Sequence, residues 1–243
     1  MSERDDPGAS IDYGQFDALT FDCYGTLIDW EAGILAALRR ALPAATAGDD
    51  ELLEQYARHE ADAERPPYRS YRQVLAESLR ALAAERSLVV ADDDVAAFSE
   101  SVRDWPSFPD SADALRTLKG RFRLGVITNC DGDLFAASSE RLDVEFDWVV
   151  TAELARSYKP SLRPFEVAFE TIDVPRGRIL HVAQSLFHDH APAKQLGLTT
   201  VWIDRRHDRA GFGATPPATA VPDATFTSMR AFVDAARSSA PGS

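Results

Sequence analysis

Leu19 to Leu27 reads LTFDCYGTL: an apolar run, a carboxylate at Asp22, and at once a turn through Gly25 and Thr26. The near-continuous apolar character from Phe16 up to Asp22 suits a strand buried on both faces, as strands of a parallel sheet are. An acid at the end of such a strand is held by a rigid element. It also faces the crevice beyond the strands' C-terminal ends, where open α/β sheets place their chemistry. Gly25 supplies the backbone freedom of a tight turn. Three later stretches bring polar groups to comparable places: VITNC at 126–130, YKP at 158–160 and HVAQSLFHDH at 181–190.

Outward from this strand the pattern turns helical. Ile34, Leu35, Leu38 and Leu42 recur at helical spacing, Leu52, Leu53 and Tyr56 begin a second run, and Tyr71, Val74, Leu75, Leu79 and Leu82 mark a third. DDDV at 92–95 supplies N-cap and first-turn acids for a fourth helix, to about Arg103. Four helices with no strand between them predict an insert that sits over the first strand's C-terminal end. After Pro106 and Pro109, helix and strand alternate: helices over 110–119, 131–141, 164–172 and 191–196, strands over 122–128, 146–151, 178–183 and 199–203. Asp110 and Asp131 are read as caps of the helices they precede. A last strand near Ala224 and a helix over 228–236 close the domain. The alternation predicts βαβ units and a parallel sheet. The domain expectation is therefore a discontinuous α/β core over 15–29 and 106–238, a helical cap over 30–105, and flexible tails over 1–14 and 239–243. Residues 208–222, rich in Gly, Pro, Ala and Thr, read as a surface loop.

A chain of 243 residues can bury a core of this size, and 45% apolar with 27% charged residues is ordinary for a globular protein. The formal charge of −13 argues against nucleic acid or an anionic membrane as partner, since polyanions are repelled by such a surface. A small anionic substrate is allowed if the pocket gathers its own cations. No apolar run has the length of a membrane span, and the acidic N-terminal stretch carries no signal-peptide pattern, so the expected location is cytoplasmic. Cys23 and Cys130, the two cysteines, read as buried thiols rather than a disulfide or a metal site.

The four stretches, taken in order from about Phe16 to about Asp204, resemble the motifs of the haloacid dehalogenase superfamily of hydrolases. Tyr24, two places after Asp22, resembles the 2-haloacid dehalogenase branch. The resemblance implies a Rossmann-like core with an inserted helical cap, and a homodimer. Asp22 is the candidate nucleophile, because a carboxylate can displace a leaving group and form an ester that water later hydrolyses. In the superfamily's phosphatases the position of Tyr24 is a second Asp that protonates the departing alkoxide. A halide needs no proton, so Tyr24 favours carbon–halogen cleavage.

Around this nucleophile, Thr26 offers a hydrogen bond to Asp22, and Thr128 and Asn129 can hold the substrate or orient the carboxylate. Lys159 supplies the cation that keeps Asp22 ionised. By resemblance Asp189 positions or activates the hydrolytic water. Ser185 is counted with the substrate-binding groups, and so is His188, which also titrates near neutral pH as a base would. The HDH triplet around Asp189 makes a poor zinc site, lacking a third ligand. No cofactor is expected for dehalogenation; the phosphatase alternative places Mg²⁺ between Asp22 and Asp189. A binding module that has kept the fold and lost turnover is the third reading.

The chain also departs from the 2-haloacid dehalogenases. They carry a Ser and an Asn just before the Asp189 position and a Tyr six residues after the Lys159 position, where this chain has Gln184, Leu186 and Phe165. Their cap also places an Arg over the nucleophile. Near that place stand Gln55 and Arg58, with Arg58 the candidate grip and Arg65, Arg69 and Arg72 farther along.

Overall fold

The computed structural model of the chain describes residues 11–208 and 218–238. The expected tail 239–243, residues 1–10 of the expected leader and 209–217 of the expected loop lie outside the described residues.

The core is a six-stranded, wholly parallel sheet in the order β3-β2-β1-β4-β5-β6. Its strands are β1 (Ala18–Phe21), β2 (Arg123–Thr128), β3 (Trp148–Thr151), β4 (Ile179–Ala183), β5 (Thr199–Ile203) and β6 (Ala224–Phe226). β1 lies between β2 and β4, with Phe21 level with Val126 on one side and Val182 on the other. Every residue of β1 and β4 is buried, which is why both read as continuous apolar runs rather than alternating ones. The chain steps from β1 to β2 on one side and returns across it to β4, so the switch point of the sheet lies at β1. That position puts Asp22, one residue past β1, at the centre of the crevice.

Between β1 and β2 the chain forms α1 (Trp30–Ala41), α2 (Asp49–Ala63), α3 (Tyr71–Glu85) and α4 (Asp92–Glu100), the inserted helical cap, followed by α5 (Ser111–Lys119). The remaining helices are α6 (Gly132–Leu142), α7 (Ala152–Ala155), α8 (Arg163–Thr171), α9 (Ala191–Gln195) and α10 (Met229–Ser238). Leu19 and Phe21 of the sheet share one apolar cluster with Leu38, Leu75 and Phe98 of the cap, so cap and core are packed together. None of the described helices is long and apolar enough to cross a membrane.

Three local expectations are corrected. Residues 11–14 are not a loose leader, because Tyr13 is buried in a short 3-10 turn, Tyr13–Gln15, with its ring edge-on to Phe232. Asp110 precedes α5 without a side-chain cap bond and instead pairs with Arg205. Asp131 likewise leaves α6 uncapped: its Oδ1 accepts from Tyr71 N at 2.8 Å and its Oδ2 from Arg72 N at 3.1 Å. A buried carboxylate of the core thus satisfies the first N–H groups of a cap helix.

Gly33 in α1 is a packing residue. A Cβ there would stand 2.3 Å from Cγ of the buried Trp105, which cannot yield inside the core. Helix propensity alone favours alanine at Gly33, yet overpacking costs about 1–3 kcal/mol, so Gly33→Ala is expected to lower the midpoint of urea unfolding.

Candidate active site

The turn after β1 is built so that Asp22 is fixed. Gly25 has φ +97°, the left-handed region that L side chains avoid, and the chain folds back so that Leu27 N and Ile28 N both donate to Cys23 O. Asp22 N donates to Val182 O, continuing the ladder one residue beyond the strand. Within the turn, Thr26 Oγ1 donates to Asp22 Oδ2 at 2.7 Å and accepts from Gln184 N at 2.9 Å. The hydroxyl makes the bond to Asp22 expected of Thr26 and also ties the Asp22 turn to the segment after β4.

Lys159 is 1% exposed and spends all three ammonium protons inside the protein: Asp22 Oδ1 at 2.9 Å, Asp189 Oδ1 at 2.6 Å and Ile127 O at 2.8 Å. Burial works against its charge, but the two carboxylates outweigh burial and push its ammonium up to about 12. Burial pushes the Asp22 carboxyl up, Lys159 opposes it, Asp189 adds to it, and the balance leaves Asp22 above its ordinary value. Asp189 is buried too, but Lys159 and His181 hold it well below the ordinary carboxylate range. Its Oδ2 is buried with no hydrogen-bond partner among the described residues.

Asn129 lies at the cavity, and its two shorter bonds are to Lys159. Its Oδ1 accepts from Lys159 N at 2.8 Å and its Nδ2 donates to Lys159 O at 3.0 Å, a two-point clamp on the backbone of the cation. Thr128, at the end of β2, has a buried Oγ1 with no partner among the described residues. Tyr24 lines the cavity with its ring, while its phenol is 3.0 Å from Ser138 Oγ and accepts from Cys130 Sγ at 3.4 Å. Burial pushes that phenol well above its ordinary value. Cys23 and Cys130 are free and buried.

The HDH segment forms a π-helical turn, Leu186–His190, leading into α9. The wide turn points Asp189 at Lys159 and turns the histidines to different tasks. His190 Nε2 is bonded to Ala183 O at 3.0 Å, while His188 lines the cavity with its Nδ1 3.1 Å from Ser185 Oγ. Ser185 also accepts from His188 N and so fixes the start of the turn. Burial pushes His188 down to about 4, which keeps it neutral at physiological pH and makes it a weak base.

The expected cap grip is corrected. Arg58 pairs with Glu85 on the outside of the cap, Arg65 with Asp62, Arg69 with Glu77, and Arg72 with Glu100 and Asp133; none of the four lines the catalytic cavity. The helix that carries Arg58 turns other side chains inward. Its buried face is Leu52, Leu53, Tyr56, Glu60 and Ala63, and Glu60 and Glu64 reach the cavity.

Three residues at or behind the cavity escaped the sequence reading. Glu60 accepts from the hydroxyls of Tyr56 and Tyr71 at 3.0 and 2.9 Å, and Glu64 Oε1 is 3.5 Å from Asn129 Nδ2. The signal was there: Glu60 falls at helical spacing from Leu53 and Tyr56, on the apolar face of α2. His181 is the third. It sits fully buried in β4, 2.9 Å from Thr20 Oγ1 and 3.1 Å from Asp189 Oδ1, and a histidine inside an apolar strand is itself the signal.

A parallel sheet with a helical cap, and a buried Asp–Lys–Asp cluster at the ends of β1, β2 and β4, defines a hydrolase of the superfamily that the motifs resemble. The chain belongs to the haloacid dehalogenase-like hydrolases, whose family model matches residues 16–197. It is 24% identical over 199 residues to (S)-2-haloacid dehalogenase H-109 of Pseudomonas putida, covering 78% of this chain and 86% of that protein. It is 28% identical over 205 residues to the 5-amino-6-(5-phospho-D-ribitylamino)uracil phosphatase of Escherichia coli (strain K12), covering 78% and 84%. Its fold matches that of the L-2-haloacid dehalogenase from Xanthobacter autotrophicus solved with chloropropionic acid covalently bound. The TM-score is 0.77 at 18% identity, covering 93% of this chain and 100% of that one.

Proposed function

We propose that this hydrolase displaces halide from the carbon beside a carbonyl group in a small 2-halo compound, through an ester on Asp22. The 2-halo acids expected from the sequence are the reference substrates. The observation that carries the reading is Lys159, held between Asp22 and Asp189, with no carboxylic acid at position 24, where the Tyr24 hydroxyl is bonded to Ser138. An ionised Asp22 oxygen attacks the carbon from behind the carbon–halogen bond, the C–O bond forms, and the halide leaves with the bonding pair. Water, donating a hydrogen bond to Asp189 Oδ2, then adds to the ester carbonyl of Asp22. The acyl C–O bond breaks, one proton of water ends on the departing oxygen and the other is released to solvent as Asp22 returns to its carboxylate, and a hydroxyl compound is released. Thr26 and Lys159 donate to the Asp22 oxygens and stabilise the negative charge on that carbonyl oxygen as water adds.

The alternative Mg²⁺ pair, Asp22 and Asp189, fits the ion poorly. Both Asp22 oxygens and Asp189 Oδ1 already accept from Thr26, Lys159 or His181, leaving Asp189 Oδ2 as the one uncommitted oxygen of the pair. Magnesium asks for a near-octahedral set of oxygens, and among the described residues no group of three or more His, Cys, Asp or Glu is arranged to hold a metal. We therefore propose a reaction without metal. Halide and phosphate release are measured on one sample with chloroacetate, 2-chloropropionate, 2-chloropropionamide and an aryl phosphate, with and without chelator. The expected result is halide release insensitive to chelator. Phosphate release that appears only with added Mg²⁺, and no halide from any substrate, sinks the reading.

A further inference from the structure

Four carboxylates and one cation line the catalytic cavity: Asp22 and Asp189 from the core, Glu60 and Glu64 from α2 and its C-terminal end, and Lys159. Lys159 has no proton to spare for a ligand, since all three are already donated. The arginines of the cap that could answer a substrate carboxylate are paired outside the cavity. Among the described residues two side chains lining the cavity carry a buried polar atom without a partner, the acceptor Asp189 Oδ2, on a residue that is fully buried, and the donor Trp30 Nε1. Glu64 makes one long contact, to Asn129, and lines both the catalytic cavity and a second one, to which Arg65, Tyr68, Arg156, Tyr158 and Phe187 also contribute.

We propose that Glu64, with Glu60 behind it, is the specificity-determining group of the site, selecting a substrate whose non-reacting end is a hydrogen-bond donor, a primary amide or ammonium, instead of a free carboxylate. For the reaction this rests on the Asp22 reading; for recognition it rests on the cavity lining alone. A substrate carboxylate would join Asp22 and Asp189, two buried acids that already share the cavity's one cation, and like charges in a shielded cavity repel strongly. Burial already pushes Glu60 up to about 7, and burial together with Glu60 pushes Glu64 well up. An added anion would push both further, whereas an ammonium would draw them back to the ionised form and gain a charge-assisted hydrogen bond. An amide pairs with a protonated Glu64 in two complementary hydrogen bonds, its oxygen accepting and its N–H donating. The carbonyl of a 2-halo amide activates the neighbouring carbon for displacement as that of the acid does, so the Asp22 chemistry is unchanged.

The test uses unreactive mimics of one length, so that recognition is read apart from turnover. Propionate, propionamide and n-propylammonium are titrated by calorimetry into the full chain and into Glu64→Gln, with circular dichroism confirming that the variant is folded. The amide and the ammonium are expected to bind at least ~10-fold tighter than propionate, and Glu64→Gln is expected to reduce the ammonium's advantage to within ~3-fold. Propionate binding as tightly as the others, no binding of any mimic, or the same discrimination in Glu64→Gln would overturn the proposal. A protein that prefers the ammonium yet releases no halide leaves this assignment standing and sinks the Asp22 reading instead.

Discussion

Asp22→Asn is expected to remove turnover, lowering kcat by ~10⁴-fold or more, or about 5 kcal/mol of barrier, while the protein stays folded. The amide is of nearly the same size: its oxygen can accept from Lys159 in place of Oδ1, and its NH2 meets the Thr26 hydroxyl, which can accept as well as donate, so the packing around the turn survives. What it cannot do is attack carbon. Neutralising the residue also leaves Lys159 with Asp189 as its one carboxylate partner, a loss partly offset because the new amide carries no buried charge. The measurement is halide release together with urea unfolding on the same preparation. Intact-mass spectrometry of the wild-type protein, quenched during turnover with 2-chloropropionate, should show a substrate-derived adduct, and digestion should place it on the peptide containing Asp22. A variant that keeps more than a few per cent of wild-type kcat would move the nucleophile to another residue. Asp189 is the neighbouring carboxylate, yet Lys159 and His181 hold its Oδ1 and leave it the weaker nucleophile.

The parallel sheet was legible because its central strands are buried on both faces. Ala18 to Phe21 and Ile179 to Ala183 have no exposed position to break the apolar run. Asp22, Thr26, Lys159 and Asp189 were legible for a related reason, as polar groups that directly follow such runs or stand beside a proline. What escaped reading depends on orientation within helices and across long separations. The place of Arg58 on α2 suggested a cap cation, but the face of α2 that packs inward is set by Leu52, Leu53 and Tyr56, and that face carries Glu60 to the cavity while Arg58 stays outside. Asp110 and Asp131 carry the local signal of an N-cap. Each is taken instead by a more distant partner, Arg205 for one and the first N–H groups of α3 for the other. A local pattern cannot weigh a partner 95 or 60 residues away. Asn129, read as holding the substrate or orienting the carboxylate, lines the cavity and also clamps the backbone of Lys159, a pairing that depends on how the loop after α7 returns to the sheet.

Lys159→Met should be the most disruptive single change to stability, costing about 3–5 kcal/mol at neutral pH, because it leaves Asp22 and Asp189 buried side by side with no cation. The methionine fills the aliphatic volume but answers neither carboxylate, and Ile127 O loses its donor as well. The sign of the pH dependence separates this cause from a general packing defect. In the wild type, Asp189 is held below its ordinary value and Lys159 is raised to about 12. Their contributions are therefore fully present between the ordinary carboxylate range and the ordinary lysine range; the first is lost toward acid, the second as pH rises through about 12. With the ammonium gone, burial and mutual repulsion raise both carboxyls above their unfolded values. A raised folded-state carboxyl contributes stability that is present below the unfolded pKa and lost as pH rises through the folded one. The deficit of Lys159→Met against wild type should accordingly be largest near pH 7 and shrink toward about pH 4, where both carboxyls of the variant protonate. Urea unfolding of both proteins at those two pH values reads the difference directly. A deficit that stays constant with pH would mean that the lysine is a packing element; and since Asp22 could then be ionised without it, the variant would also be expected to keep measurable halide release.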